Sequence, residues 1–239
     1  CKMLIEKGAD VNATRKNGWT ALMKAALFGY KEVCKVLMEK GAKVGAENKD
    51  GWTALMFAAF SGHKKVCEFF LDNVNPVDRE KRTLLMYAAL YGKREICELL
   101  IDRGLDVNSV NIDKWTPLML VSLNSHFEFL PDEYSPRLHF SPLYMYLKLL
   151  VHRDFVQVCK LLLDRGAKID FTNIGGDTAL SIAASVGFNK VCNLLLERGA
   201  NLNIKNKKGL SPLLLSAQNR HFAVFTTLLE FGAKFNKKT

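Results

Sequence analysis

Residues 18–42 read GWTALMKAALFGYKEVCKVLMEKGA, and residues 51–75 read GWTALMFAAFSGHKKVCEFFLDNVN. The second stretch is the first displaced by 33 positions, with Trp, Thr, Leu, Met, an Ala pair, Gly, Val and Cys kept in register. Self-similarity at such a period marks a stack of supersecondary units, none of which can bury its apolar face without a neighbour. Each unit opens on a threonine, runs through a short apolar segment, and continues into an amphipathic stretch. Two helices per unit are predicted.

The same register extends along the chain. Thr20, Thr53, Thr83, Thr116, Thr178 and Ser211 open the first helices, from TALMKAALFG to SPLLLSAQNR. The second helices run from VCKVLMEKG to VFTTLLEFG, and Gly41, Gly104, Gly166, Gly199 and Gly232 stop them, since glycine adopts the left-handed conformation cheaply. Cys1, Cys34, Cys67, Cys97, Cys159 and Cys192 act as a ruler, with spacings of 33, 33, 30, 62 and 33.

This pattern resembles the ankyrin repeat, a 33-residue turn plus two helices with a T-P-L-H-x-A signature. Thr-Ala-Leu and Thr-Pro-Leu recur, Gly62-His63 stands at a helix–helix turn, and Gly8-Ala9-Asp10-Val11-Asn12 is the family's G-A-D-V-N tail. The resemblance implies an all-α solenoid of stacked helix-turn-helix units joined by hairpin loops. One departure is systematic. The family's histidine is Met23, Met56, Met86, Met119, Ser181 and Leu214 here, so thioether packing is expected in its place.

A single repeat domain over 1–239 is expected, with a partial repeat at 1–16 and repeats at 17–49, 50–80 and 81–112. An irregular segment at 113–174, a repeat at 175–207 and a capping-like repeat at 208–239 complete it, the cap being read from polar Thr227 in the last helix. The chain starts inside a second helix at Cys1, as a piece of a longer protein would. From Asp72 to Asp78 one hairpin is three residues short, and Asn73 is expected to take the left-handed place of the missing glycine. Between Thr116 and Thr178 lie 62 residues, which is 33 plus 29. Either Ser125–Arg153 is an insertion in the turn of one repeat, or two degenerate repeats are present. The likeness of Asp154-Phe155-Val156-Gln157-Val158-Cys159 to Gly187-Phe188-Asn189-Lys190-Val191-Cys192 favours degenerate repeats. Both accounts predict a helix from Pro142 to about Val151.

Composition narrows the chemistry. No apolar run reaches the roughly 18 residues that cross a bilayer, and a soluble monomer in the cytoplasm or nucleus is expected. Cysteines on neighbouring helices stand about 8 to 10 Å apart, too far for a disulfide and without metal-ligand spacing. They are predicted to be reduced core residues. His63, His126 and His221 fall at or near helix–helix turns, where a backbone bond is expected; His139 and His152 have no partner suggesting a triad. No phosphate loop, nucleophile elbow, metal or cofactor signature is present, so no enzyme is predicted within these residues.

Partner-binding candidates come from register. Trp19, Trp52, Arg82 and Trp115 precede the opening threonines, and the family likeness implies that this position faces a concave groove. The same likeness places Leu27, Phe28, Phe60, Leu90 and Tyr91 there, and Phe57 and Tyr87 extend the strip. Packing of the tryptophans on their own hairpins is the competing reading. The net charge of +10 gathers in the hairpins, where Arg15, Lys16, Lys49, Arg79, Lys81 and Lys114 would form a basic rim. Such a rim steers acidic partners. The leading expectation is therefore a scaffold that binds another protein with an acidic surface. One alternative is the substrate-recruiting part of a larger kinase, acyltransferase or ubiquitin ligase. A lesser one is binding of anionic lipid or nucleic acid by the rim. Asn12 and Asn108, resembling the family's hydroxylation sites, are expected to bond their own backbone.

Overall fold

The structure, a computed structural model, describes residues 2–71, 84–123 and 154–234. Thr83, Asn73 and the Pro142–Val151 helix lie outside these residues, as does the aromatic-rich stretch around them. Thirteen helices and no strand occur among the described residues. They are α1 (Lys2–Glu6), α2 (Ala21–Leu27), α3 (Lys31–Glu39), α4 (Ala54–Ser61), α5 (Lys64–Leu71), α6 (Leu84–Leu90) and α7 (Arg94–Asp102). Then come α8 (Pro117–Ser122), α9 (Phe155–Asp164), α10 (Ala179–Ser185), α11 (Asn189–Glu197), α12 (Pro212–Gln218) and α13 (Phe222–Glu230). The chain divides into two compact units. The first holds α1 to α5 with residues 84–88 of α6 and 95–102 of α7; the second holds residues 89–94 and α8 to α13.

Each first helix begins because a hydroxyl satisfies an N–H that the helix itself cannot. The side-chain oxygens of Thr20, Thr53, Thr116, Thr178 and Ser211 accept from the amide three residues on, at 3.2 to 3.4 Å. Where the family has histidine, this chain supplies return acceptors of its own, as at Ser181 and Met23. Ser181 Oγ accepts the Thr178 amide at 2.8 Å, and the Met23 sulfur accepts that of Thr20 at 3.4 Å. The methionine therefore completes the cap as well as filling core.

Helix identity follows from where each stands in the stack. In α4, every residue from Ala54 to Phe60 is buried, because α2 lies on one side and α5 on another. In α3 only Cys34 and Leu37 are buried, so its sequence carries an apolar stripe with a charged opposite face. The second unit repeats the scheme, with α10 between α8 and α12 and paired with α11.

Within the second unit, helices α8 and α9 flank the irregular segment. Helix α9 packs against α8 as α3 does against α2. Asn108 Nδ2 donates to Gly166 O at 3.1 Å and Lys168 N donates to Asn108 Oδ1 at 2.8 Å. In the first unit Asn12 makes the same pair of bonds to Gly41 and Lys43, at 3.0 and 2.9 Å. Those bonds span 29 and 31 residues, against 58 and 60 at Asn108, an excess of 29 in each case. Helices α8 and α9 thus pair as the two helices of one repeat do. Residues 124–153, over which the insertion and degenerate-repeat accounts differ, lie outside the described residues. The role expected of the asparagines is corrected, since their side chains tie one repeat to the next rather than bonding their own backbone.

A second correction concerns α13. Thr227 is buried and its hydroxyl donates to Asn189 Oδ1 at 2.9 Å, so it faces the preceding repeat instead of forming a polar outer face. The exposed side chains there include Thr226 and Glu230 as well as the apolar Phe222, Leu229 and Phe231.

Two residues break the glycine series. Lys114 (φ 59°) stands where other hairpin tips have Gly18, Gly51, Gly176 and Gly209, and Arg220 (φ 61°) stands where other helix–helix turns have Gly29, Gly62, Gly92 and Gly187. An L side chain in this region costs roughly 1–2 kcal/mol, partly returned by the freedom glycine regains on unfolding. Lys114→Gly and Arg220→Gly are each expected to raise stability by about 1 kcal/mol in urea denaturation. No gain in either variant would show that the strain is relieved elsewhere.

Candidate interaction surface

The hairpin tips are built on one asparagine. Asn48 Oδ1 accepts from the amides of Asp50 and Trp52, at 3.0 and 2.8 Å. Asn111, Asn173 and Asn206 repeat the arrangement in the second unit. Successive tips are then joined through backbone: Lys49 N to Asn17 O at 3.1 Å, Ile174 N to Asp113 O at 3.1 Å, and Lys207 N to Gly175 O at 2.9 Å. This asparagine, five residues before the threonine, was legible in the sequence as a recurrence at 48, 111, 173 and 206 that reasoning from threonine and glycine passes over. Tip side chains are thereby held on ordered backbone, and Arg15, Lys16, Lys49 and Lys114 are exposed. Arg79, Lys81 and Arg82 lie outside the described residues.

The aromatic strip is another matter. Trp52 is 1% exposed, with its ring 5.0 Å from Phe57, 5.9 Å from Phe60 and 4.8 Å from Tyr87. Phe57, Phe60 and Tyr87 are themselves buried, as are Leu27, Leu90, Tyr91 and Trp115. Trp19 is half-buried against Phe57 at 4.3 Å. These side chains, which the register assigns to a groove, are buried within the repeats, with Trp52 packed against Phe57 of α4. Phe28 alone among the described candidates of the strip is exposed, at 42%, and Tyr30, which register did not single out, stacks beside it at 6.0 Å.

The two described histidines have structural partners. His63 Nε2 lies 3.0 Å from Leu27 O and His221 Nε2 3.0 Å from Ser185 O; a carbonyl only accepts, so the proton is on Nε2 in each. Among the described residues no cluster of His, Cys, Asp or Glu could hold a metal, and no helix is long and apolar enough to cross a membrane.

The described cysteines are free and buried. Burial pushes the thiols up, Cys34 to about 11 and Cys67, Cys159 and Cys192 to about 12, with Cys97 also raised. All stay protonated at neutral pH. Because the folded values exceed the ordinary 9.0, the folded state holds protons that the unfolded chain releases, so stability is full below that pH and falls as pH rises through the folded values. A melting temperature that declines progressively above about pH 9 is expected, with the five thiols inert to Ellman's reagent until denaturant is added. Rapid modification of the native protein at any of them would contradict this burial.

With the fold in place, comparison with known proteins is direct. A family model described as ankyrin repeats, in three copies, matches residues 1–80, 41–111, 73–131 and 147–239. The chain belongs to the ankyrin repeat family. The residues that the family matches skip, 132–146, fall in the stretch between the paired helices α8 and α9. The crystal structure of the human ASB11 ankyrin repeat domain is similar at a TM-score of 0.76 and 26% identity, covering 98% of this chain and 93% of that one. No curated protein sequence matches the chain. The all-α ankyrin class predicted from the repeats is thus shown, and ankyrin repeats serve generally as protein–protein interaction modules.

Proposed function

We propose that this ankyrin repeat protein is a non-catalytic binding module that captures an acidic partner protein at its hairpin tips, with Phe28 and Tyr30 as an aromatic contact. The observation that carries this reading is the contrast at the tips. Exposed cations stand on backbone tied from tip to tip, while nearly all the aromatic candidates are consumed as core. Fixed like charges raise the rate of encounter with an opposite surface more than they raise affinity. Free thiols fit a reducing compartment, cytoplasmic or nuclear, for such a module.

The test is a crosslinking pull-down from nuclease-treated lysate with the parent chain and an Arg15→Glu, Lys16→Glu, Lys49→Glu, Lys114→Glu variant. Recovery of specific partners is expected to fall roughly tenfold in the variant, and likewise for the parent as salt screens the rim. Equal recovery by both chains would remove the acidic-partner reading. Loss of all signal on nuclease treatment would transfer it to nucleic acid.

A further inference from the structure

The tips of the second unit do not all carry cations. Four residues before the opening hydroxyl stand Lys16, Lys49 and Lys207 in three described tips, but Ile112 and Ile174 in two others. Ile112 is 58% exposed and Ile174 50%, with Val110 at 40% on the same hairpin as Ile112. The backbone bond from Ile174 N to Asp113 O places the two isoleucines side by side. Val110 lies two residues before Ile112, which occupies the tip turn closed by the bond from Lys114 N to Asn111 O at 3.0 Å. A single exposed aliphatic side chain needs no explanation. Neighbouring ones at one register position, where the other tips use lysine, form a patch that folding does not require, because tip side chains contribute little to the core.

Charge says what would cover it. Lys114 flanks the patch on one side, and Lys205, Lys207 and Lys208 stand exposed on the next tip, joined by the bond from Lys207 N to Gly175 O. The acids at these tips are less exposed than the lysines. Asp177 Oδ1 accepts from Asn206 Nδ2 at 2.9 Å, and Asp113 is half-buried. We infer that Val110, Ile112 and Ile174 form a docking patch for a protein segment that presents an aliphatic or aromatic side chain flanked by carboxylates. The lysines orient the segment and the isoleucines bury its apolar residue, as a desolvated contact ringed by charge does at binding hot spots. This rests on the protein-binding reading above and adds the place and chemistry of one contact.

The probe is a phage-displayed library of random dodecapeptides selected on the immobilised chain. Enriched peptides are expected to share an apolar residue between Asp or Glu residues. Synthetic copies are expected to bind the Ile112→Lys, Ile174→Lys variant at least about tenfold more weakly, as loss of most of one buried aliphatic contact implies. Ile112→Thr, Ile174→Thr keeps the charge unchanged and should lose a comparable factor; circular dichroism melts check that both variants fold. Acidic peptides that bind parent and variants alike would overturn the patch while leaving the acidic-partner reading in place. Enrichment of peptides without carboxylates, or of none, would overturn both. Binding of phosphatidylserine vesicles, or a dimer in sedimentation that the variants abolish, would assign the patch to lipid or to a second copy and overturn the proposal.

Discussion

Trp52→Ala is expected to lower unfolding free energy by about 3 to 5 kcal/mol, the range for deleting a large aromatic side chain from a core. The indole is fully enclosed by Phe57, Phe60 and Tyr87, so its removal leaves a cavity that rings on either side cannot collapse to fill. Native domains are stable by only about 5 to 15 kcal/mol, so this one change threatens the first unit. Trp52→Phe separates packing from polarity. The Trp52 Nε1 donor is buried without a hydrogen-bond partner, and phenylalanine removes that orphan while retaining a ring. Its cost should be less than half that of alanine. Urea denaturation measures both, and a loss under about 1 kcal/mol for Trp52→Ala would mean the indole is not core. Any binding defect of Trp52→Ala must accordingly be read as damage to the scaffold.

Gly18→Ala should cost about 2 to 4 kcal/mol, from two sources that can be separated. Gly18 has φ +80°, where an L side chain is strained by roughly 1–2 kcal/mol. Its added Cβ would also lie 3.0 Å from Asn48 Cα and 3.0 Å from Lys49 N. Those atoms are backbone of the next tip, held by the Lys49 amide bond to Asn17 O, and cannot swing aside as a side chain would. Gly41→Ala is the control. It has φ +88° and nothing within 4 Å of the new methyl, so it carries the strain alone. Equal costs at the two positions would show that adjacent tips are not packed as described.

Much of the fold was legible because it is local and repeated. The threonine caps and stopping glycines act within one turn of chain, and the 33-residue register says how often they recur. The exposure of Arg15, Lys16, Lys49 and Lys114 was legible for the same reason, since exposure at a tip follows from turn chemistry. The tryptophans were not. Position before the threonine does not say which way an indole points; the rings of Phe57 and Tyr87, which enclose Trp52, come from helices α4 and α6. Tyr30 was missed because its exposure depends on what stands beside it. The patch at Ile112 and Ile174 was hidden in plain sight, as two departures from lysine whose adjacency only the bond between tips reveals.

By itself the sequence determined the class of fold, the helix pairs and the cysteine ladder, all consequences of periodic apolar faces that need neighbours. Only tertiary structure decided that α8 packs against α9, that most of the aromatic strip is buried, and that Asn12 and Asn108 join repeats. Each of those turns on contacts between residues far apart in the chain, such as Asn108 with Gly166, and a one-dimensional register records that such partners exist without recording which pairs meet.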